Sequence, residues 1–240
     1  MSMGELWRAY LLYPAIQLYF ALAVGCAVVV GVWATDWSRV ALAALATVVV
    51  YPFAWYLIHR FILHGRWLYR TAWTAGLWKR IHFDHHQDPH RLEVLFGAPS
   101  NTVPTMAAIT LPIGYAIGGV AGAAGAFGTG LLITCVYEFC HCIQHLNYKP
   151  RSRLLQYMKQ THLLHHFHDE GGNYGIVSFL PDRLFRTYYR GARSRPRSRH
   201  VFDLGYDLHA AQQFPWVMQR TGAPPRSRPP APAARHQTTP

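Results

Sequence analysis

The sequence predicts an all-α integral membrane protein: about four transmembrane helices, with a helical cap on one side that holds a histidine-rich dimetal site. Three observations predict it. Apolar residues make up 51% of the 240 residues and charged residues only 14%, well under the quarter usual in soluble domains. The charge-free stretches come in blocks long enough to cross a bilayer. The 15 histidines fall in clusters.

The elements follow in order. Ala9 to Thr35 carries no charge, which is too long for the apolar region of a signal peptide and long enough to span. Pro14 and Gln17 near its start place the span at about Ala15 to Ala34. A polar link, Thr35 to Arg39, comes next. Val40 to Ile58 is again uncharged, and at about 1.5 Å rise per residue it covers the roughly 30 Å hydrocarbon layer. Val94 to Tyr137 has no charge and is long enough for two spans. Its dense glycines are expected to supply a turn near Gly118 to Gly125 and close helix contacts. Residues 1–220 read as one domain, and the Pro/Ala/Arg-rich residues 221–240 as a disordered tail.

Four spans return both termini to one side. Of the 23 Lys and Arg, only Arg39 falls in a loop on the other side, so the shared side is expected to be cytoplasmic. The net charge of +12 therefore requires no nucleic-acid partner. Arg193, Arg195, Arg197 and Arg199 read as a solvated flank that can also meet anionic headgroups. Cys26, Cys135, Cys140 and Cys142 lie in apolar segments without paired spacing and read as reduced core residues.

Four histidine groups carry the chemistry: His59 with His64; His82, His85 and His86; His141 with His145; His162, His165 and His166. On helices, residues three and four apart share a face, so each HxxHH group is expected to aim its rings at one point, and His141 to align with His145. His59 and His64, five apart, sit about 140° around an ideal helix. Either the helix ends there, as Gly65 suggests, or the two rings serve different metals. All four groups fall on one membrane face. Ten imidazoles exceed the needs of one tetrahedral zinc, which implies two metals. The ligands alone suit iron, zinc or copper. His90, His168, His200, His209 and His236 stand alone and read as structural. A membrane metal transporter or metal-binding protein is the main rival class, but it should place ligands near the bilayer midplane. A zinc hydrolase would need a motif such as HExxH, which the sequence lacks. Glu138, one turn before His141 at the end of an apolar span, is costly there unless paired. It reads as orienting a ligand histidine or as facing water.

From Leu57 to Tyr189 the residues resemble the fatty acid hydroxylase and sterol desaturase superfamily of membrane di-iron enzymes. The resemblance rests on the four histidine groups in order, on Tyr137-Glu138-Phe139-Cys140-His141, and on His165-His166-Phe167 followed by Asn173-Tyr174-Gly175-Ile176 and Asp182-Arg183-Leu184-Phe185-Arg186-Thr187. The HxxxxH spacing and the HLLHHF run are most similar to fatty acid 2-hydroxylases. The resemblance implies two iron ions on the ten histidines, with zinc as a substitute, and O2 as co-substrate. It implies hydroxylation or desaturation of an unactivated C–H bond in a lipid: a fatty acyl lipid first, a carotenoid or sterol as the alternative. It adds Asn173 to Glu138 as a candidate catalytic residue, and marks Asp182 beside it. Tyr174, Phe167 and Trp78 are candidates for a substrate channel. The chain has no room for a fused cytochrome b5-like domain, so a separate electron donor (cytochrome b5-like, ferredoxin or reductase) is expected. The Ala- and Arg-rich composition points to the bacterial cytoplasmic membrane, with the endoplasmic reticulum as the eukaryotic equivalent.

Overall fold

Ser2 and Glu5 open the first helix by capping each other: each backbone N–H donates to the other's side chain, which satisfies two donors at a helix start. In the computed structural model, which describes residues 1–227, this helix α1 (Met3–Leu11) turns Leu6 and Tyr10 inward. Pro14 starts α2 (Pro14–Trp33), at the position where a missing N–H removes no helix bond. Asp36 accepts from the N–H groups of Ser38 and Arg39 and so starts α3 (Trp37–Leu57). Val24, Val28 and Val32 of α2 and Leu45 and Val49 of α3 are exposed. Apolar side chains bared at helical spacing are what a bilayer-facing surface requires.

After α3 the chain tightens into a π-helical turn, Ile58–Leu63. It then builds the first part of the cap: α4 (Ala72–Trp78), a second π-turn Lys79–Phe83, α5 (Asp84–Gln87) and α6 (Leu92–Leu95). The long α7 (Pro99–His145) is broken at Gly118 and Gly119, where Gly119 has φ +59°, a conformation open to glycine and strained for other residues. The break turns α7 into an antiparallel hairpin. A Cβ at Gly114 would collide with the Gly122 carbonyl, and Gly130 packs on Thr110 and Met106. The expected turn is thus at its first two residues. Gly118 also packs against Arg39, so the link after α2 and the hairpin turn share one end of the bundle.

Three helical stretches are long and apolar enough to cross a membrane: Pro14–Trp33, Trp37–Arg70 and Leu92–His145. The third contains both arms of the hairpin, which accounts for the four expected spans. Both α2 and α3 pack on α7. The cap is completed by α8 (Arg153–Phe167), α9 (Leu180–Leu184), α10 (Leu208–Gln213) and α11 (Trp216–Thr221). Its core joins Tyr69, Trp78 and Phe83 to Tyr206 and Val217. No strand occurs among the described residues, and the four cysteines are unpaired. Of the expected tail, Arg226 lies over the Phe202 ring and bonds Gln87, and Ser227 bonds Asp203; residues 228–240 lie outside the described residues.

Candidate metal centre

The ten histidines meet where the spans enter the cap, in two groups of five. One holds His59, His64, His82, His86 and His165; the other holds His85, His141, His145, His162 and His166. Within each group, one ligand atom per ring lies within 4.8 Å of all the others. Backbone geometry explains the sorting. In the first π-turn the His64 N–H donates to the His59 carbonyl, and such i→i+5 bonding stacks residues five apart. The two rings, 140° apart on an ideal α-helix, thereby come to 3.3 Å between Nε2 atoms. The pair shares one group, so the reading in which each ring serves a different metal is corrected.

The HxxHH groups also differ from expectation. His82 and His86, four apart, join the first group, while His85 joins the second. His162 and His166 join the second, while His165 joins the first. On a helix, positions i+3 and i+4 lie about 100° apart around the axis, so the two adjacent histidines diverge and bridge the groups instead of converging. His141 and His145 stay together, as expected, with ring centroids 4.7 Å apart.

Three rings are locked by backbone carbonyls. Nδ1–H of His59 donates to Tyr174 O at 2.6 Å, that of His86 to Val201 O at 2.6 Å, and that of His165 to Gly172 O at 2.7 Å. Each bond fixes the tautomer and leaves Nε2 as a lone-pair donor. Burial then disfavours charge. It pushes the imidazoles of His82, His85, His162, His165 and His166 well below their ordinary range and His86 down to about 3, with neighbouring imidazoles acting in the same direction. Neutral rings are the ligand form. Buried nitrogens on His85, His86, His141, His145, His162, His165 and His166 have no hydrogen-bond partner, at a cost of about 1–3 kcal/mol each if left so. Two all-imidazole metal sites, each taking one nitrogen per ring, would relieve part of that cost. The residues therefore fit two metals of the kind imidazole binds.

Glu138 is buried; its Oε1 accepts from the Gly97 N–H at 3.0 Å, and its Oε2 lies 3.8 Å from His141 Nδ1. That is ion-pair range, longer than a hydrogen bond. Of the two sequence readings, orientation of His141 and exposure to water, burial removes the second. Asn173 does not join the histidines. It is fully buried at φ +54°; its Oδ1 accepts from Tyr189 N–H and its Nδ2 donates to Tyr189 O. Asp182, also fully buried, accepts from the N–H groups of Tyr174 and Gly175 and from Thr187 Oγ1. Together these two hold the Gly172–Tyr174 turn whose carbonyls lock His165 and His59.

Among the channel candidates, Tyr174 lines a groove, Trp78 is in the cap core, and Phe167 faces an outer groove on α8. His90, His168 and His200 bond His145 O, Arg195 O and Asp203 respectively; His236 lies outside the described residues. Sequence reasoning missed Lys159. Its Nζ donates to the carbonyls of Ile143, Leu146 and Tyr148 at 2.9–3.0 Å, closing the end of α7 beside His145. Its spacing, three before His162 on the histidine face of α8, was the available signal. The carbonyls that lock the rings had no side-chain signature at all.

The fatty acid hydroxylase family model matches residues 44–187, more than half of the chain and every one of the ten histidines. The chain belongs to this family. Among relatives of this hydroxylase-family chain, the dihydroceramide fatty acyl 2-hydroxylase FAH1 of Arabidopsis thaliana is 29% identical over 139 residues, 58% of this chain and 56% of the relative. The mouse (Mus musculus) fatty acid 2-hydroxylase is 28% identical over 144 residues, 57% and 37% of the two chains. The ceramide very long chain fatty acid hydroxylase SCS7 of Saccharomyces cerevisiae is 30% identical over 147 residues, 57% and 36%. The chain thus spans about half or less of the length of these relatives. A solved structure of full-length Scs7p, in which only the hydroxylase domain is visible, shares the fold with a TM-score of 0.65 and 23% identity over 77% of this chain and 68% of that one.

Proposed function

We propose that this protein is an O2-dependent di-iron lipid hydroxylase acting on a fatty acyl chain. The observation that carries the reading is the pair of five-histidine groups, buried at the bilayer edge and opening onto apolar grooves. The printed activities of the relatives support the substrate class. His59, His64, His82, His86 and His165 would hold one iron; His85, His141, His145, His162 and His166 would hold the other. When bound, the metals would activate O2 for insertion of one oxygen atom into a C–H bond.

The chain's own residues supply the rest. The carbonyls of Tyr174, Val201 and Gly172 keep three ligand rings in the binding tautomer. Leu63, Ile81, Leu95, Phe96 and Ile176 line the chamber beside the rings and exclude water from the reacting carbon. Glu138 places a carboxylate against His141 at the chamber wall, where it would hold that ring in register. Asn173 acts at one remove, through the turn it clamps. O2 chemistry of this kind consumes two electrons per turnover, and a one-electron carrier (cytochrome b5-like, ferredoxin or a reductase) would deliver them. The basic distribution supports a multi-pass membrane protein with the site on the cytoplasmic side, and the Ala- and Arg-rich composition supports a bacterial cytoplasmic membrane.

The test is lipid profiling of cells with and without the protein under 18-O oxygen, with His165→Ala as control. One labelled oxygen in a fatty acyl lipid, present only with the intact protein, is the expected result. No labelled lipid from iron-loaded, donor-supplied protein would overturn the reading.

A further inference from the structure

Trp55 and Tyr137 stand one helical turn on the membrane side of His59 and His141, and those two histidines belong to different metal groups. The Trp55 and Tyr137 rings meet edge to face, with centroids 5.2 Å apart. Residues four apart lie on one helix face, so this aromatic pair underlies both halves of the centre at once.

The cavities converge on the same pair. A bilayer-facing groove between α3 and the second arm of α7 is lined by Val48, Tyr51, Pro52 and Ile133, passes Trp55 and Tyr137, and runs on to Tyr174 and Ser178 of the cap. A second groove, lined by Ile58, Ile62, Leu77 and Pro104, also reaches Trp55 and shares Leu63, Ile81 and Gly97 with the histidine chamber. The histidine chamber is bounded by Trp55 and Tyr137 too. Trp55 alone lines all three. Free space is about 50 Å³ in the chamber, against about 210 Å³ and 350 Å³ in the grooves. Only a short piece of a substrate fits beside the histidines, and the rest must lie in a groove. That division suits an unbranched apolar chain, which can lie along a groove and present one short stretch to the chamber. The indole Nε1 is buried and its near polar neighbour is the Tyr137 hydroxyl, so the two rings are braced against each other and not against the rest of the protein.

We propose that Trp55, braced by Tyr137, is the gate between the bilayer groove and the dimetal chamber, and that it selects which carbon of an acyl chain reaches the metals. This specificity role rests on the hydroxylase reading above; the groove itself does not.

The test uses iron-loaded protein in phospholipid nanodiscs, with O2 and a reduced ferredoxin or cytochrome b5 system supplied for turnover. The first readout is binding: quenching of indole fluorescence by a fatty acid brominated at mid-chain. Comparison of wild type with Trp55→Phe isolates position 55 among the 8 tryptophans. Quenching of Trp55 is expected to saturate and to be reversed by the unbrominated acid, unlike that of the lipid-facing Trp33. The second readout is the product. Trp55→Ala, with its iron content retained, is expected to spread hydroxylation from one carbon to its neighbours and to reduce chain-length discrimination about tenfold, with Trp55→Phe in between. Trp55 quenching that never saturates overturns the gate. So does Trp55→Ala with the wild-type product position and chain preference. Saturable quenching without any oxygenated product from the wild type would instead overturn the hydroxylase reading and leave an acyl-binding groove.

Discussion

His165 and His166 are adjacent on α8, yet their rings lie 82° apart in plane and serve different histidine groups. The same split separates His85 from His86. Two helical segments thus each contribute to both histidine groups, which ties the separation of the two candidate metal sites to the geometry of α5 and α8. Replacing one histidine should then empty one site and spare the other. For His165→Ala the expected iron content falls from two per chain toward one, with loss from the group of His59. His166→Ala should lose iron from the group of His141. Iron analysis with Mössbauer spectra of the two variants checks this. Identical residual spectra would contradict the assignment.

The Gly172–Tyr174 turn makes a second prediction. Its carbonyls hold His165 and His59, and Asp182 holds its N–H groups. Burial raises the Asp182 carboxyl, and hydrogen bonds from Thr187, Tyr174 and Gly175 oppose the rise. Asp182→Ala strands two buried N–H donors, those of Tyr174 and Gly175, a loss of about 3 kcal/mol. Asn173→Ala removes the amide bonds and leaves at φ +54° a residue that tolerates the left-handed region less well than asparagine. Both variants should bind iron at the His59 group about 10–100-fold more weakly. Denaturation and iron-retention assays would read the two effects separately. Normal retention in Asn173→Ala would leave the resemblance's catalytic role for this residue as the better account.

The metal-free protein should be sensitive to acid. Folded imidazoles such as His86, at about 3, resist protonation, whereas unfolded ones protonate near 6.5. Below that value the unfolded state binds more protons, so stability falls as pH drops from about 6.5 toward 3. Each such ring contributes a loss of about 1.4 kcal/mol per pH unit. Above pH 7 the stability should be flat with respect to these rings. Denaturant titrations of chelator-stripped protein at pH 8, 6.5 and 5 test this. Equal stability at pH 8 and 5 would show that the rings are not buried as described.

Much of the architecture was legible because bilayer thickness writes itself into sequence as charge-free length. The spans Pro14–Trp33 and Trp37–Leu57 lie within three residues of their expected ends. The glycine-rich stretch disclosed a hairpin, although only Gly118 and Gly119 make the turn. The ten histidines were legible as residues but not as two sets. Ideal-helix spacing cannot foresee the π-turns at Ile58–Leu63 and Lys79–Phe83. Nor does any side chain announce that the carbonyls of Val201 and Gly172 will lock His86 and His165, since every residue carries a carbonyl.

Lys159 carries the last prediction. A helix end leaves four carbonyls without internal partners, and α7 ends at His145 inside the protein, next to a metal group. Lys159 Nζ donates to Ile143 O, Leu146 O and Tyr148 O. Partial burial lowers its pKa, yet a cation is the favoured charge at a helix C-terminus. Lys159→Met should cost about 2 kcal/mol, a fall of about 4–8 °C in Tm for a chain of this size. Because His141 and His145 ride on that final turn, iron should be lost preferentially from their group, with the His59 group retained. Lys159→Arg, which keeps the charge but not the compact ammonium geometry, should fall between the two. If Lys159→Met lowered Tm but released iron equally from both groups, the lysine would be a general stabiliser of the cap and not the residue that sets the position of His145.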